Sequence, residues 1–473
     1  MSSVDEILSR ASQAAAVFSQ YNQADTDKIV EAVHRVALAN RVRLAKMAVE
    51  ETGIGNWQDK VVKNFVAAEI VYEDIKDLKT AGIIAEDKEK GIIEIAQPLG
   101  PIFGIIPCTN PTSTIIFKII SALKTRNPII ISPHPRGKDC CVETARLCYE
   151  AALKADAPDY CVQWLENPSN EQNQQIMRHP KLALILATGG SALVKEAYSS
   201  GKPALGVGSG NVPVFIEKSA DLPFAVDQII ASKTFDNGTI CASEQFLVVE
   251  KENVDQIFAI FKEKHVYVLN QEEIKAVESI AYNYERKLMD PSIVGKSVAY
   301  IAEKAGINVP KETKLLIAPL SGIGEQYPLS SEILAPVLSF HVAQNFEHAL
   351  KLCIELNFYG GCGHTVSMFS NSREKINQFA LEMNAGRIVI NMPSSQGAVG
   401  GLFNKLHPSF TLGCGTSGNN ITTDNITARN LLNIQRVTLR RGNERLANFK
   451  TELFFDEHIS SEDLDKEYNR NFL

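Results

Sequence analysis

The chain has 473 residues, of which 45% are hydrophobic and 22% charged, and its formal net charge is −7. This length predicts two or three domains, and the composition is that of a globular protein. The acidic balance argues against a nucleic-acid binder, and no apolar run approaches the roughly 18 residues needed to span a bilayer. Because the N-terminus lacks the basic and apolar parts of a signal peptide, we expect a cytoplasmic protein.

The nine cysteines fit that compartment. None forms a Cys-x-x-Cys pair, and neither His364 nor His407 lies at zinc-ligand spacing from a cysteine. We therefore expect no disulfide framework and no metal site. All of the cysteines except Cys241 are interpreted as small buried apolar groups.

In chain order, helices are predicted up to about residue 85, because apolar residues recur there at helical spacing. A strand is predicted at 91–98. Short apolar strands then alternate with helices, which is typical of a doubly wound parallel sheet. The predicted strands are 102–106, 128–132 and 182–187, and the predicted helices are 113–123, 141–155 and 189–198.

A second α/β segment is predicted from about Ala220 to about Pro408. Loops are predicted at 391–401 and 411–420. The tail from Ile434 is rich in Arg, Asn and Glu, and it includes a predicted strand at 450–455. We interpret this tail as an arm that pairs with another subunit, and the alternative is a fraying terminus.

The segment 233–245 places Cys241 in a small polar turn just before a strand predicted at 246–250. A thiolate in this position can attack a carbonyl carbon, and the Cys241 backbone N–H can help to hold the oxyanion that forms. Asn110, within the segment 107–113, is a candidate amide donor to the same oxyanion. Together they suggest covalent chemistry on an aldehyde or a thioester.

Three turns are candidates for cofactor binding. Residues 189–191 open a helix after a buried strand, where a phosphate is favoured, although a plain strand-to-helix turn explains them about equally well. Residues 132–138 follow a strand, and their Arg and Lys either meet a phosphate or form a solvated turn. Residues 206–213 are too rich in glycine for a regular element and are predicted to pack against a ligand or a neighbouring loop.

Two further side chains are candidates for the same site. Glu332 heads a short apolar run, where it either holds sugar hydroxyls or caps an element. His364 lies in the predicted glycine-rich turn 360–365. A lone histidine is more often structural than catalytic, although the neighbouring glycines favour a functional role.

Several segments together resemble the CoA-acylating aldehyde dehydrogenases, and especially the aldehyde dehydrogenase half of bifunctional aldehyde/alcohol dehydrogenases. They occur in the expected order over nearly the whole chain. These segments are TNPTST at 109–114, KTRN at 124–127, SPHPR at 132–136, LATGG at 186–190, AYSSGKPA at 197–204, KTFDNGTICASEQ at 233–245 and MPSSQG at 392–397.

The resemblance implies an aldehyde dehydrogenase-like α/β fold of three parts. A Rossmann-type nucleotide-binding domain would comprise residues 1–218 with a return segment at about 409–432. An α/β catalytic domain would comprise 219–408. A β oligomerisation arm at 433–473 would pair with the strand near 90–97, giving a homodimer or a homotetramer.

The resemblance also implies residue roles. Cys241 is the nucleophile, Asn110 and the Cys241 N–H form the oxyanion hole, and His364 matches a histidine of the family with a less certain role. The cofactor, NAD or NADP, would lie along a larger set of residues. These are Ile105, Cys108, Thr109, Ser132, His134, Arg136, Gly189, Gly190, Ser191, Gly208, Glu332 and Leu412.

The implied reaction begins when the Cys241 thiolate attacks a small aldehyde. Hydride loss to the nicotinamide leaves a thioacyl-enzyme, and coenzyme A as co-substrate then carries the acyl group away. Related hydrolytic enzymes have a water-activating glutamate in a Glu-Leu-Gly-Gly-Lys segment, whereas the corresponding residues 205–211 include no acid. Without that base, hydrolysis of the thioester is expected to be slow.

The substrate and the cofactor stay open at this point. Residues 416–419 are polar where the bifunctional relatives usually have a tryptophan and further glycines, so sulfoacetaldehyde is an alternative to acetaldehyde. No acid beside 132–138 is placed to hold a ribose 2′-hydroxyl, and Arg136 could tolerate a 2′-phosphate, so NAD and NADP are both candidates.

Two other functions are alternatives. A non-catalytic scaffold with this fold needs neither Cys241 nor Asn110, and both are present. A hydrolytic aldehyde dehydrogenase would form NAD(P)H without CoA. Because the sequence ends at Leu473, we expect no alcohol dehydrogenase half and release of the aldehyde or the acyl-CoA.

Overall fold

The computed structural model describes residues 3–447 and 449–470. Its α-helices are α1 (Val4–Phe18), α2 (Gln23–Ala39), α3 (Arg41–Thr52), α4 (Trp57–Phe65), α5 (Val71–Ile75), α6 (Pro111–Lys124), α7 (Lys138–Lys154), α8 (Asn170–Arg178), α9 (Ser191–Tyr198), α10 (Leu222–Thr234), α11 (Val254–Glu263), α12 (Gln271–Ala281), α13 (Val298–Ala305), α14 (Phe346–Gly360), α15 (Arg373–Glu382), α16 (Ser394–Val399) and α17 (Ser461–Asn469).

Its strands are β1 (Gly82–Asp87), β2 (Ile92–Pro98), β3 (Ile102–Ile105), β4 (Ile129–Ser132), β5 (Val162–Trp164), β6 (Leu184–Thr188), β7 (Ala204–Val207), β8 (Val212–Ile216), β9 (Glu244–Glu250), β10 (Val266–Val268), β11 (Tyr282–Asn283), β12 (Leu288–Met289), β13 (Leu315–Pro319), β14 (Val337–Ala343), β15 (Gly363–Phe369), β16 (Ala385–Ile390) and β17 (Leu432–Thr438). Among the described helices, none is both long and apolar enough to cross a bilayer.

A five-stranded parallel sheet has the order β5-β4-β3-β6-β7. Its central strands are apolar along their whole length because helices cover both faces. Ile102 packs in a core with α2, α6 and α7, whereas the next residue, Phe103, packs in a second core with α1, α8 and α9. This alternation shows a doubly wound sheet, as predicted.

A seven-stranded sheet has the order β10-β13-β14-β9-β8-β15-β16 and is also parallel. Val214 and its neighbours pack against α10 and α11 on one face, and Phe215 packs against α14 and α15 on the other. Both sheets belong to one compact unit, formed by the residues up to 78 and by 98–432. The predicted α/β fold class is confirmed.

A second unit comprises residues 79–97 and the chain from 433 onward. It contains a three-stranded sheet of order β1-β2-β17, in which β1 and β2 are antiparallel. The prediction of a strand at 450–455 is wrong. Residues Thr451–Phe454 form a 3-10 turn, in which Leu453 N donates to Lys450 O, so local hydrogen bonds take the place of a strand ladder.

Several other boundaries differ from prediction. Strand β1 begins before the predicted helical region ends, and residues 394–399 of the predicted loop form helix α16. His364 is the second residue of β15 rather than part of a free turn, because Gly363 N already donates to Asn384 O. Gly206 belongs to β7, so only residues 208–211 form the connection to β8.

Asn127 joins three parts of the first unit. Its Oδ1 accepts from Leu99 N at 2.7 Å and from Gly100 N at 2.9 Å, and its Nδ2 donates to Thr125 Oγ1 at 2.7 Å and to Leu431 O at 2.8 Å. The side chain is fully buried. Both lone pairs of Oδ1 and both hydrogens of Nδ2 are thereby used, which fixes the segment before β3 next to Leu431.

Asn127→Ala is therefore expected to lower the free energy of unfolding by about 2–5 kcal/mol, because it leaves buried N–H and C=O groups without partners. Urea denaturation measures the change. Asn167→Ala, at an exposed position, is the control and should stay within about 0.5 kcal/mol of the parent. Equal unfolding midpoints for the two variants would contradict this account of Asn127.

Candidate active site

A cavity of about 590 Å³ opens at the carboxyl ends of β3, β4, β6 and β7. This is the edge at which open parallel sheets bind ligands. The cavity brings together most of the residues predicted for the site. Those lining it are Ile105, Cys108, Thr109, Asn110, Ser132, His134, Gly189, Gly190, Gly208, Cys241 and Glu332.

Four predicted residues do not line this cavity. Arg136 donates to Thr52 O at 3.2 Å, Leu412 is buried in an apolar cluster, and Ser191 lines an adjacent cavity of about 630 Å³. His364 lies behind Cys241, within hydrogen-bonding distance of it. Arg136 and Leu412 are therefore not among the residues that line this cavity, and their role in cofactor binding stays a prediction.

Cys241 follows a turn in which Asp236 and Asn237 have left-handed backbone conformations, with φ of 49° and 54°. The turn projects the cysteine toward the loop between β7 and β8, and its thiol is half-buried. A Cβ atom at Gly210 of that loop would lie 2.2 Å from Cys241 O, so only glycine fits there. The loop and the nucleophile turn are thus in direct backbone contact.

The electrostatic surroundings of Cys241 keep the thiol protonated. Burial raises its pKa to about 12, the negative potential of Glu332 adds to that rise, and Arg387 opposes it. His364 Nε2 lies 3.2 Å from Cys241 Sγ. This imidazole is the only ring within hydrogen-bonding reach of the sulfur among the described residues.

His364 is held as a neutral imidazole. Burial, followed by the nearby Arg387 cation, lowers its pKa to about 3. Its Nδ1 lies 2.9 Å from Thr365 Oγ1, so both ring nitrogens have partners. When Cys241 is a thiolate, the tautomer that carries its proton on Nε2 donates to the sulfur and stabilises the anion.

Arg387 was not predicted. It lies in the otherwise apolar strand β16 and is 4% exposed. Its guanidinium donates to the backbone oxygens of His364 and Gly413, each at 2.6 Å, and to Asn425 Oδ1 at 3.2 Å. These acceptors are neutral, and the positive charge of Arg387 lowers the pKa of Cys241, which favours a thiolate nearby. A lone arginine inside an apolar strand was the available sequence signal.

Asn110 is the N-cap residue of α6, yet its side chain makes no capping hydrogen bond. Its Oδ1 instead accepts from Lys63 Nζ at 2.6 Å, and its Nδ2 donates to Thr109 Oγ1 at 3.1 Å. The second Nδ2 hydrogen is left for an acceptor in the cavity. Lys63 was also missed by prediction, although a buried lysine within an amphipathic helix is an unusual feature.

The cavity fits a nicotinamide dinucleotide. Gly190 is the N-cap of α9 and provides no side-chain cap, and a Cβ there would meet nothing within 4 Å, so the first N–H groups of α9 are open to a phosphate. Glu332 Oε1 accepts from Gly210 N at 2.9 Å. Burial raises the pKa of Glu332 to about 7. Within residues 3–447 and 449–470, no group of three or more His, Cys, Asp or Glu could hold a metal ion.

Comparison with known sequences agrees with this geometry. Residues 1–276 match the profile of the aldehyde dehydrogenase family. The chain is 45% identical to the aldehyde-alcohol dehydrogenase of Clostridium acetobutylicum, over 93% of this chain and 51% of that protein. It is 36% identical to the succinate-semialdehyde dehydrogenase (acetylating) of Clostridium kluyveri, over 92% and 95%. It is 34% identical to the sulfoacetaldehyde dehydrogenase (acylating) of Bilophila wadsworthia, over 92% and 94%.

Solved structures are similar over the same range. The acetylating aldehyde dehydrogenase of Geobacillus thermoglucosidasius has a TM-score of 0.91 and 46% identity, over 93% of this chain and 97% of that chain. A propionaldehyde dehydrogenase of Rhodopseudomonas palustris with bound propionyl-CoA has a TM-score of 0.82 and 27% identity, over 93% and 94%. An engineered glycolyl-CoA reductase with bound NADP+ has a TM-score of 0.83 and 26% identity, over 93% and 97%.

The chain belongs to the aldehyde dehydrogenase family. Within that family, its similarity extends over nearly the full length of acetylating and acylating members. The predicted resemblance is confirmed. The chain spans about half the length of the aldehyde-alcohol dehydrogenases that it matches.

The pKa of Cys241 predicts how its reactivity depends on pH. Because burial raises that pKa to about 12, the thiolate fraction should rise tenfold per pH unit throughout the range from pH 7 to 9. Alkylation by iodoacetamide, measured by peptide mass spectrometry, should therefore accelerate about 100-fold over that range. A rate that levels off below pH 8 would mean that the thiolate is already stabilised in the free protein.

His364→Ala should slow alkylation of Cys241 about tenfold at pH 8, because it removes a donor to the charged sulfur. His364→Gln is the matched control, since its amide keeps an N–H donor and should restore part of the rate. Equal rates for the parent and both variants would exclude a role of His364 in holding the thiolate.

Proposed function

We propose that the chain is a CoA-acylating aldehyde dehydrogenase, which reversibly converts a short aldehyde, CoA and NAD(P)+ to acyl-CoA and NAD(P)H. This proposal rests mainly on the position of Cys241, which lines the cavity together with Asn110 and has His364 Nε2 at 3.2 Å from its Sγ. Full-length similarity to acetylating and acylating relatives supports the acyl acceptor. The CoA and NADP+ ligands of related structures support the co-substrate and the cofactor.

Cys241 forms and breaks every covalent bond between the chain and its substrate. Its thiol gives its proton to solvent, and the sulfur bonds to the aldehyde carbon while the C=O π bond opens, which gives the anion of a thiohemiacetal. The Asn110 amide and the Cys241 N–H donate to the oxygen, which becomes negatively charged as the C=O bond opens. A nicotinamide dinucleotide bound in the cavity would accept the hydride. Loss of the hydride leaves the acyl group attached to Cys241 as a thioester.

The second half of the reaction removes the acyl group. A CoA sulfur bonds to the thioester carbon, the same two donors hold the oxyanion, and the carbon–sulfur bond to Cys241 breaks. The incoming thiol must lose its proton. Glu332 lines the cavity with a pKa near 7, which suits a proton acceptor at neutral pH.

Glu332 weakens the expectation that thioester hydrolysis is slow because residues 205–211 contain no glutamate. Residues 205–211 contain no acid, as noted from sequence, but Glu332 reaches this loop from outside it and binds Gly210 N. A base is therefore present in the cavity. The preference for CoA over water rests on the acylating relatives rather than on the absence of an acid.

A short apolar aldehyde such as acetaldehyde is the proposed substrate. The described residues that line the cavity with Cys241 include no lysine and no arginine. A sulfonate in this cavity would therefore lack a cationic partner, which disfavours sulfoacetaldehyde.

NAD and NADP both remain in the proposal. The far end of the cavity is lined by Ser132, His134, Asn170 and Asn173, with no carboxylate for a ribose 2′-hydroxyl and no lysine or arginine for a 2′-phosphate. Burial and the Arg136 cation lower the pKa of His134, so this ring is neutral at pH 7. We propose a cytoplasmic location, where these cofactors and CoA occur.

We also propose a homodimer or homotetramer assembled through the second unit. Val437 of β17 and Leu439 just after that strand are exposed apolar side chains, and Phe455 of the tail is 82% exposed. Apolar groups of this kind are typical of a surface covered by another subunit. Light scattering after size-exclusion chromatography measures the subunit number directly.

The function is tested by following reduced nicotinamide absorbance with acetaldehyde or sulfoacetaldehyde, NAD or NADP, and with or without CoA. We expect a CoA-dependent signal, larger for acetaldehyde, and at least a 10⁴-fold loss in Cys241→Ala, since the nucleophile is removed. Cys148→Ala, at a buried position in another core, is the matched control and should keep its activity.

Each other outcome rejects a named part of the proposal. Turnover without CoA would identify a hydrolytic enzyme. A larger signal with sulfoacetaldehyde would overturn the substrate assignment. No signal with any combination, in a protein that is folded, would favour the scaffold function.

A further inference from the structure

The buried Lys63 ammonium lies between the nucleophile turn and Asn110. Its three donors point to Asn110 Oδ1 at 2.6 Å, to Thr239 Oγ1 at 2.9 Å and to Asp236 Oδ2. The side chain is 3% exposed. An ammonium has three donors and no acceptor, so every hydrogen of Lys63 is used and the amide oxygen of Asn110 is its fixed acceptor.

Asp236 anchors this arrangement. Its Oδ2 accepts from Lys60 as well as from Lys63, and its Oδ1 accepts from Asn56 N at 2.9 Å. The carboxylate is fully buried. A Cβ at Gly55 would lie 1.8 Å from Asp236 Oδ1, and Gly55 has a φ of +72°, so the backbone of this segment is shaped around the carboxylate.

The position of Lys63 decides which way the Asn110 amide faces. An asparagine can present either its oxygen or its NH₂ group in one orientation of the side chain. With Oδ1 bound to an ammonium, a flipped amide would place its NH₂ group against Lys63, donor against donor. The NH₂ group is consequently directed away from Lys63, toward Thr109 and the cavity.

We propose that Lys63 is a positioning residue for acyl transfer, which holds the Asn110 amide so that its N–H donates to the oxyanion formed on Cys241. This inference deepens the proposed function and rests on it for the identity of the reaction. Lys63 does not contact the reacting atoms. It acts through Asn110, and Asp236 and Thr239 fix it in turn.

Charge supports the same role. Lys60 and Lys63 share the Asp236 carboxylate, and a second carboxylate, that of Asp59, accepts from Asp236 N at 2.7 Å, so the cluster pairs two cations with two carboxylates. Burial lowers the pKa of Lys63 to about 8, with Asp236 acting in the opposite direction. The ammonium is therefore protonated at pH 7, the form in which it can only donate.

Two reagents distinguish an effect on the position of the Asn110 amide from an effect on formation of the Cys241 thiolate. 4-Nitrophenyl acetate acylates a thiolate through an oxyanion: the sulfur bonds to the acetyl carbon, the aryl C–O bond breaks and 4-nitrophenolate leaves. Iodoacetamide alkylates the same sulfur by displacing iodide, with no oxyanion. Neither reagent requires cofactor or CoA, and Cys241→Ala shows which part of each signal comes from Cys241.

Lys63→Met is expected to slow acylation of Cys241 by 4-nitrophenyl acetate about 10–100-fold at pH 7, while alkylation by iodoacetamide changes less than about threefold. The matched control is Lys124→Met. Lys124 is also a buried lysine bound to a carboxylate, but its Nζ lies 2.6 Å from Asp27 Oδ1 and 2.7 Å from Lys76 O, which are remote from Asn110 and the nucleophile turn in sequence and are not part of the cavity lining. Its ratio of acylation to alkylation should equal that of the parent.

A double-mutant cycle tests whether Lys63 acts through Asn110. Asn110→Ala alone should slow acylation about 10²–10³-fold. Adding Lys63→Met should slow it by no more than about threefold further, because the group that Lys63 positions is already absent. The proposal would be overturned if the effects of the two substitutions on the acylation rate multiplied. It would also be overturned if Lys63→Met slowed the reactions with both reagents equally or left the acylation rate unchanged.

Lys63→Gln guards against a variant that does not fold. Its amide keeps hydrogen bonds in the buried polar cluster but can present its oxygen as well as its NH₂ group to Asn110, so it no longer fixes which way the Asn110 amide faces, and a fall in the ratio of acylation to alkylation is expected. The ratio counts only folded protein whose Cys241 reacts, so partial unfolding does not imitate the effect. A parent that reacts with the ester at Cys241 but gives no CoA-dependent turnover would reject the proposed function alone.

Discussion

The buried carboxylate of Asp236 is the constraint on which the geometry of the site depends. A charge without access to water is costly unless it is paired and hydrogen-bonded, and Asp236 is paired with Lys60 and Lys63 and accepts hydrogen bonds from Asn56 N and Thr239 Oγ1. The two lysines belong to α4, and Asn56 is the N-cap residue of that helix. The turn that carries Cys241 is therefore fixed to a helix distant in sequence, and the left-handed backbone at Asp236 is maintained by those contacts.

A second charge, on Arg387, sets the state of the nucleophile from the other side. The arginine is buried against carbonyl oxygens, adds to the burial that keeps His364 neutral, and opposes the rise in the Cys241 pKa. The balance still favours a protonated thiol. Since the thiolate is the form attacked by oxidants, a protonated resting Cys241 is protected from oxidation until catalysis requires the anion. We therefore expect Cys241 to be more reactive when substrate and cofactor are bound than in the free protein.

The sequence allowed much of the fold to be predicted because its signals are local. The strands of the five-stranded sheet are short apolar runs, and each is followed by a helical pattern. The cysteine in a polar turn before a buried strand is also a local signal. The tail strand was misplaced because residues 450–455 are as apolar as β17, and only pairing with another strand decides between them.

The partners within the site could not be predicted in this way. Lys63 meets Asn110 across 47 positions and Asp236 across 173 positions, and no local pattern records such pairings. Residues Arg136 and Leu412 carried the motif of a cofactor site, yet one bonds to a backbone oxygen of α3 and the other packs in a core. A motif shows which residues lie near a site, and packing decides which of them face it.

Gly55 and Asp236 have a consequence for how this protein can change during evolution. Asp236 can occupy its position only while residue 55 is glycine, because a Cβ at position 55 would fill the space of the carboxylate. If Asp236 were lost, a residue that tolerates the left-handed backbone at position 55, such as asparagine, could replace the glycine. That side chain would then bar the return of the carboxylate, so the loss would act as a ratchet, and lineages that keep the site must retain the glycine as well.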